Sequence, residues 1–288
     1  MTHRFNHISF LTDYGTRDEF VGIVKCVVAD IAPHVQVIDI THDVPAFDVR
    51  AGSLALARAV SYVPKGVILA VVDPGVGTSR RAIAIEVSDG RGVLMGPDNG
   101  LLASAAAMAG GAERVCELSN AMLHIEAPGT TFAGRDIFAP VAGFLCNGGA
   151  IEEIGEQIDS ASVMPGLVPI PTNETHATYG DGVRCEVTWV DVYGNCQLNI
   201  GPEDLVHLGP VLRLIIGEDV RSARMTSHFA DIDGGAIGAV TDSYGMVALA
   251  VDRGSAAEVL RVGAGDGVYI YAGQADGATS AVSIRPAK

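Results

Sequence analysis

The sequence predicts an α/β domain with a mostly parallel sheet, followed by a smaller antiparallel β domain of barrel or sandwich type. Three observations carry this prediction. Apolar strand-like runs alternate with helical segments in the first half, short strand-like runs follow one another in the second half, and a proline-rich stretch separates the two. With 288 residues, 48% of them hydrophobic, the chain can bury a substantial core.

The first half alternates strands and helices. Continuous apolar runs, typical of strands buried on both faces, occupy residues 8–12, 35–40, 66–72 and 93–95. Apolar residues at helical spacing occupy residues 20–31, 48–62, 100–109 and 137–146. Thr16 and Glu19 have the spacing of a capping box for the first helix. This alternation predicts a parallel sheet with helices on its faces.

The stretch from residue 164 to 176 contains three prolines and has little periodicity, so it is interpreted as a linker. It separates a first domain, residues 1–163, from a second domain, residues 177–288. Beyond the linker, strand-like runs between turn residues cover residues 182–191, 196–200, 211–216, 236–241, 246–251 and 267–271.

The composition excludes several classes of function. A net charge of −15 argues against nucleic acid as a partner, because such proteins carry a basic surface. The N-terminal residues lack the apolar core of a signal peptide, and apolar runs stay below the roughly 18 residues of a membrane span. Five widely spaced cysteines fit reduced thiols better than disulfides or a zinc site. A cytoplasmic protein without membrane contact is expected.

Several predicted strands end at a charged or polar residue. Asp13, His42, Asp73 and Asp98 each follow such a strand, and the carboxyl ends of parallel strands open into ligand-binding crevices. Four strand ends are therefore expected to converge on one crevice. Asp before glycine or Pro-Gly is also common turn chemistry, so a turn-capping role stays open for Asp13 and Asp73.

Paired arginines follow the glycine loop after Asp73. Arg80 and Arg81 are either solvated surface side chains or, for one of them, a bidentate partner that reaches back to Asp73. The glycines of Gly75-Val76-Gly77 match a dinucleotide fingerprint at only two positions, and Arg80 stands at the third, so that reading is rejected. The sequence also lacks a P-loop, and no metal site is inferred from its histidines.

Three further turns carry polar groups. Asp136 and Arg135 precede the last helix of the first half, where Asp136 could cap the helix and Arg135 could pair with an acid, although a simple capped turn is an adequate explanation. In the second half, Tyr193 and Asn195 flank a glycine at a hairpin bend, and Tyr244 occupies a second turn of the same kind. An aromatic ring with an amide can hold a purine, and Tyr-Gly-Asn is equally an ordinary turn.

Five ordered blocks resemble the S-adenosyl-L-methionine (SAM) hydroxide adenosyltransferases, the SAM hydrolases related to the fluorinase and chlorinase. The match runs from the first predicted strand to the last hairpins. The blocks are Phe10-Leu11-Thr12-Asp13-Tyr14-Gly15, Val72-Asp73-Pro74-Gly75-Val76-Gly77 with Arg80, Gly96-Pro97-Asp98-Asn99-Gly100, Thr131-Phe132-Ala133-Gly134-Arg135-Asp136, and Tyr193-Gly194-Asn195.

The resemblance implies an N-terminal α/β domain, a C-terminal β-barrel, and a homotrimer whose active sites lie between one subunit's first domain and its neighbour's second. It assigns Asp13 to the ribose hydroxyls and Phe47 to a position near the ribose. It assigns Asp18 and Asp191 to the methionine moiety. The adenine pocket would hold Tyr193, Asn195 and Tyr244.

The resemblance further implies that Asp73 and Arg80 are two members of the hydrolases' Asp-Arg-His set. The halogenases have Tyr at the position of Asp73, so this chain sides with water as the nucleophile. The third member is replaced: Ala133 stands where the hydrolases have His. Two explanations stay open. Either the chain is a divergent or inactive homologue, or its natural histidine was deliberately replaced by alanine.

The expected activity is hydrolysis of SAM to adenosine and L-methionine by water attack at the ribose 5′ carbon, slowed by Ala133. A sulfonium leaves as a neutral thioether, so aligning and orienting the water is the main task, and no metal or redox cofactor is implied. Two alternatives stay open: a protein that binds SAM or adenosine without turnover, and a SAM-dependent halide adenosyltransferase.

Overall fold

The computed structural model describes residues 4–87 and 92–273. Its contacts divide the chain into two compact units, Met1–Val168 and Pro169–Lys288. The division falls inside the stretch expected to be a linker, and the last five residues of that stretch form a strand, Thr172–His176. This strand is polar throughout and mostly exposed, so no hydrophobic alternation marks it in the sequence.

The first unit is built on a seven-stranded mixed sheet in the order β2-β1-β3-β5-β4-β6-β7. Strands β1, β2, β3 and β5 are mutually parallel, and β4 runs antiparallel to β5 and β6. The mostly parallel sheet is thus confirmed. The strands are β1 (His7–Thr12), β2 (Gln36–Thr41), β3 (Gly66–Val71), β4 (Ala82–Val87), β5 (Gly92–Pro97), β6 (Ala112–Glu117) and β7 (Gln157–Ile158).

Helices cover both faces of this sheet, and each face has its own hydrophobic cluster. One cluster joins α1 and α4 to the sheet through Val28, Phe138 and Leu145, and the other joins α2 and α3 through Leu56 and Ala105. β3 is buried along its whole length between them, as its continuous apolar run predicts. The helices are α1 (Phe20–Ile31), α2 (Val49–Val60), α3 (Ala103–Met108) and α4 (Ala139–Cys146).

The start of α1 differs from the prediction. Glu19 is the N-cap residue and its side chain makes no capping hydrogen bond, so the expected capping box of Thr16 and Glu19 is wrong. The helix begins three residues later than the box requires, at Phe20. By contrast, α2 begins as its pattern suggests, with Asp48 accepting a hydrogen bond of 2.8 Å from the Ala51 backbone N–H.

The second unit is a closed seven-stranded barrel. Strand β9 closes it, because its first half pairs with β15 and its last residues pair with β10. The remaining order is β10-β14-β13-β12-β11-β15, with β8 on the edge of β9. The strands are β8 (Thr172–His176), β9 (Gly180–Val190), β10 (Cys196–Leu198), β11 (Val211–Ile216), β12 (Asp219–Thr226), β13 (Ile237–Thr241), β14 (Val247–Ala250) and β15 (Gly267–Ala272).

The predicted barrel is confirmed, with one parallel pair, β12 and β13, that makes it mixed. The barrel core contains Val187, Leu198, Leu212 and Leu249. A short helix, α5 (Ala256–Leu260), joins β14 to β15, and the Ser255 hydroxyl caps it by accepting from the Glu258 N–H. All five cysteines are free, and four of them are buried. Within residues 4–87 and 92–273, every helix is too short or too polar to cross a membrane.

Candidate active site

The first unit has an open cleft at the carboxyl ends of β1 and β3, with a cavity volume of about 270 Å³. It lies where a parallel sheet is expected to bind ligands. Its lining combines two carboxylates with apolar and aromatic side chains. The lining residues are Asp13, Tyr14, Phe20, Ala46, Phe47, Val71, Asp73, Val76, Thr131, Phe132 and Ala133.

Asp13 follows β1 and is fixed by the loop before α2. Its Oδ2 accepts a hydrogen bond of 2.9 Å from the Phe47 backbone N–H. Phe47 has a φ of +67°, a left-handed conformation that is strained for a bulky side chain, and the residue is 71% exposed. Strain of this kind is concentrated at functional sites. Here it turns the Phe47 N–H toward Asp13 while the ring lines the cleft.

Asp73 follows β3 and is paired with Arg80 across the glycine loop. The Nε of Arg80 donates to Asp73 Oδ1 at 3.1 Å and its Nη2 donates to Oδ2, so the pairing is bidentate. Both side chains are largely buried, at 5% and 12% exposure. Arg80 Nη1 also donates to the Arg81 carbonyl at 2.8 Å, and its guanidinium lies 5.8 Å from the Phe138 ring. Of the two interpretations left open for Arg80, the structure confirms the ion pair.

Burial raises the pKa of Asp73 above its ordinary value, and the hydrogen bonds and charge of Arg80 oppose that shift. The Gly75 backbone N–H acts in the same direction as Arg80. The result is a carboxylate in a poorly solvated position whose charge is held by one arginine. Such a group can polarise a bound water.

Aromatic rings form one wall of the cleft. Tyr14, Phe20 and Phe132 pack against one another with ring centroids 5.0 to 6.0 Å apart. Gly134 allows the close approach of Tyr14, because a Cβ on this glycine would lie 2.5 Å from the Tyr14 hydroxyl oxygen. Ala133 is 5% exposed and contributes a methyl group to the same wall. Sequence reasoning missed Tyr14, Phe20 and Phe132; the aromatic directly after Asp13 was the available signal.

Two of the four strand ends serve other purposes. Asp98, after β5, pairs with Arg81, and its Oδ1 accepts from the Met164 N–H at 2.8 Å. His42, after β2, is 5% exposed, and its Nδ1 lies 2.8 Å from the Thr12 hydroxyl. Neither lines the cleft, so the expected convergence of four ends is reduced to Asp13 and Asp73. Asn99 still links the region by donating to the Val72 carbonyl at 2.9 Å.

Other candidates of the first unit lie outside the cleft lining. Asp18 is exposed in the loop before α1. Arg135 and Asp136 pair with each other, with Nε and Oδ1 2.5 Å apart, in a short π-helix, Gly134–Phe138, that leads into α4. The predicted pairing of Arg135 with an acid is thus confirmed.

The second unit carries two matching turns at the β9–β10 and β13–β14 hairpins. In the first, Asp191 Oδ1 accepts from the N–H groups of Tyr193 and Asn195, both at 2.9 Å. In the second, Asp242 Oδ1 accepts in the same way from Tyr244 and Met246. Each turn therefore presents a tyrosine two residues after its aspartate.

The two turns also differ at one position and are linked through β10. Asn195 donates through Nδ2 to Asp191 Oδ2 at 2.8 Å, where the second turn has Met246. Gln197 of β10 donates to Asp242 Oδ2 at 2.5 Å. Tyr193 is 76% exposed and Tyr244 43%, so both rings are accessible to a flat ligand.

An acidic cleft at the strand ends of an α/β unit, together with a barrel bearing exposed tyrosines, defines a small-molecule-binding protein of two modules. Residues 8–155 match the SAM hydroxide adenosyltransferase N-terminal domain, and residues 185–269 match the C-terminal domain of that family. The chain belongs to the SAM hydroxide adenosyltransferase family of enzymes.

Similar proteins cover nearly the whole chain. A protein of Salinispora tropica named (R)-S-adenosyl-L-methionine hydrolase is 43% identical over 92% of this chain and 98% of its own length. A protein of Thermus thermophilus with the same name is 36% identical over 88% and 94%. A fluorinase of Actinoplanes is 27% identical over 70% of this chain and 74% of its own. The solved structure of a conserved protein from Thermotoga maritima superimposes with a TM-score of 0.83, at 37% identity over 92% and 99% of the two chains.

Proposed function

We propose that this protein hydrolyses SAM to adenosine and L-methionine by attack of water at the ribose 5′ carbon. The buried Asp73–Arg80 pair on the cleft is the observation that carries the proposal. The names of the relatives at 43% and 36% identity point to the same reaction.

The proposed reaction needs few protein groups. The water oxygen forms a bond to the 5′ carbon while the carbon–sulfur bond breaks, and the electron pair leaves with sulfur as the neutral thioether of methionine. Asp73 accepts a hydrogen bond and then a proton from the water, and Arg80 keeps Asp73 ionised and fixed. The carboxylates of Asp13 and Asp73 favour a cationic sulfonium in the cleft. The leaving group needs no acid, so the proposal includes no metal or redox cofactor.

The binding roles in the proposal follow the family resemblance. Asp13 would hold the ribose hydroxyls beside Phe47, and Asp18 and Asp191 would serve the methionine moiety. Tyr193, Asn195 and Tyr244 would form the adenine pocket, with Asn195 reading the base edge. Following the family resemblance, we further propose a homotrimer with sites shared between subunits, an arrangement compatible with ribose and adenine residues in different units of the chain.

Ala133 is proposed to make turnover slow. A methyl group at this position cannot accept or donate a hydrogen bond, so one contact to the water is lost relative to a histidine.

The five free cysteines favour a reducing compartment, which supports a cytoplasmic location.

Chromatography of SAM incubated with the protein tests the proposal. Adenosine and methionine above the level of a no-enzyme control are expected. Binding by calorimetry without product would instead indicate a SAM-binding protein without turnover, the alternative that Ala133 favours. A 5′-halo-5′-deoxyadenosine product in chloride or fluoride would indicate halide transfer, the activity for which the more distant fluorinases are named.

A further inference from the structure

Tyr14 is held rigidly at the wall of the cleft. Its backbone N–H donates to the Thr12 hydroxyl at 3.2 Å, and the next N–H, of Gly15, donates to the His42 carbonyl at 2.8 Å. Its ring packs on Phe20 and Phe132 at centroid distances of 5.9 and 6.0 Å. Both ends of the residue are thereby fixed, which is what a positioned functional group requires.

The hydroxyl of Tyr14 lies beside the position where the family's histidine is replaced. A Cβ on Gly134 would come within 2.5 Å of the hydroxyl oxygen, so the phenol touches the backbone of the residue directly after Ala133. Tyr14, Asp73 and Ala133 line one cleft. The phenol therefore brings a polar atom to a wall on which Ala133 offers only a methyl group.

The two carboxylates of the cleft already accept hydrogen bonds, and Asp73, with about four acceptor sites, has about one left for a water after Arg80 and the Gly75 N–H. Asp13 Oδ2 accepts from the Phe47 N–H, and both carboxylate oxygens of Asp73 accept from Arg80. Burial raises the pKa of Tyr14 far above its ordinary value, and the charges of Asp13 and Asp73 raise it further. The phenol is therefore neutral throughout the working pH range, and a neutral phenol oxygen can accept a hydrogen bond.

We propose that the Tyr14 hydroxyl is a catalytic group that accepts a hydrogen bond from the attacking water. One O–H of the water points to Tyr14 and the other to Asp73, which leaves a lone pair of the water oxygen for the ribose 5′ carbon. The proton of the reaction still goes to Asp73, so the Tyr14 proton is not transferred. Tyr14 thus supplies orientation that a histidine at position 133 would otherwise give. This inference rests on the proposed SAM hydrolysis.

The test compares Tyr14→Phe in two backgrounds, the parent and Ala133→His. In the parent, Tyr14→Phe is expected to lower kcat by about 3- to 10-fold, the rate equivalent of one orienting hydrogen bond, with KM for SAM changed less than twofold. In the Ala133→His background the loss is expected to be below about twofold, because the histidine now orients the same water. Tyr62→Phe, a 76% exposed tyrosine, is the matched control and keeps the parental kcat.

A parental kcat in folded Tyr14→Phe overturns the role of Tyr14 while leaving SAM hydrolysis standing. An equal loss in both backgrounds, or a loss confined to KM, also overturns it, because a purely structural tyrosine gives those patterns. If neither background produces adenosine, the proposed function itself has failed and the role of Tyr14 fails with it.

Discussion

Asp73 combines two opposing effects in one side chain. At 5% exposure its carboxylate loses most of its hydration, which favours the neutral acid. The bidentate guanidinium of Arg80 favours the charged form instead. An ionised but poorly hydrated carboxylate attracts the hydrogens of a nearby water more strongly than a solvated one. Arg80 is thereby as important to the proposed chemistry as Asp73.

The ionisation of Asp73 sets the expected pH dependence of turnover. Its pKa in the protein is raised by burial above the ordinary 3.8, and the carboxylate is the active form. We therefore expect kcat to rise with pH through that raised pKa and to be lost as pH falls below it. Measurement of kcat across the acidic range in which circular dichroism reports a folded protein tests this.

The control for this pH profile is Asp43→Asn, which removes an exposed carboxylate after β2. This variant should show the same loss of kcat at low pH as the parent. Asp73→Asn should remove turnover at every pH. If Asp73→Asn keeps measurable turnover that still falls at low pH, another group is responsible for the pH dependence.

Ala133 is the residue at which restored activity is expected. A histidine there would lie beside the same water, and a positioned acid or base typically contributes about 10²- to 10⁴-fold in rate. Ala133→His is expected to raise kcat within that range and to change SAM affinity little, because the group acts on water rather than on SAM. The rate of adenosine formation and calorimetric SAM binding measure the two quantities.

The gain should vanish when Asp73→Asn is added to Ala133→His. Turnover at the parental level in a folded, SAM-binding Ala133→His protein would contradict the assignment of position 133 to the water site.

At the scale of elements, the two tyrosine turns depend on glycine in different ways. Gly194 and Gly245 both have a φ of +81°, a conformation that costs an L-residue about 1 to 2 kcal/mol. A Cβ on Gly194 would lie 2.1 Å from the Ser255 hydroxyl, whereas a Cβ on Gly245 would meet nothing within 4 Å. The first turn is therefore locked against the N-terminus of α5, where the Ala257 N–H donates to the Gly194 carbonyl at 3.0 Å.

This difference predicts unequal costs of the same substitution. Gly245→Ala should lower the free energy of unfolding by about 1 to 2 kcal/mol through backbone strain alone. Gly194→Ala should cost clearly more, since Ser255 must also move and its cap on α5 weakens. Urea denaturation of the two variants measures both costs, and equal midpoints would argue against the contact with Ser255.

Most elements with a strong apolar pattern could be predicted from the sequence, and those without one could not. β3 was predictable because its residues are all apolar and buried. β12 was not, because Arg221, Ser222 and Arg224 face solvent and leave no alternation to detect. In the site, Asp13 and Asp73 could be predicted because they stand at strand ends. The choice of Arg80 as the partner of Asp73 could not, because it depends on how the glycine loop folds back.

At the scale of the whole molecule, the two units carry different parts of the proposed site. The cleft of the first unit has acids for the ribose and the sulfonium, and the tyrosine turns of the second unit are suited to a purine. A substrate that needs both must be bound by two units of one chain or of two chains. In the proposed homotrimer each site would take its two units from two different chains, and complementation between inactive variants distinguishes the two arrangements.

Asp73→Asn and Asn195→Ala place one defect in each unit, and each variant alone should be poorly active at SAM concentrations well below KM. Asn195→Ala is expected to weaken adenosine binding by about 1 to 3 kcal/mol, the cost of leaving a buried polar edge unpaired.

If a site takes its first unit from one chain and its second from another, random mixing of the two variants by coexpression regenerates intact sites at about one site in four. Activity of the coexpressed mixture should then clearly exceed the mean of the two variants, while the two variants purified separately and mixed without exchange give only that mean. A coexpressed mixture that also gives only the mean would indicate that each chain holds its own complete site.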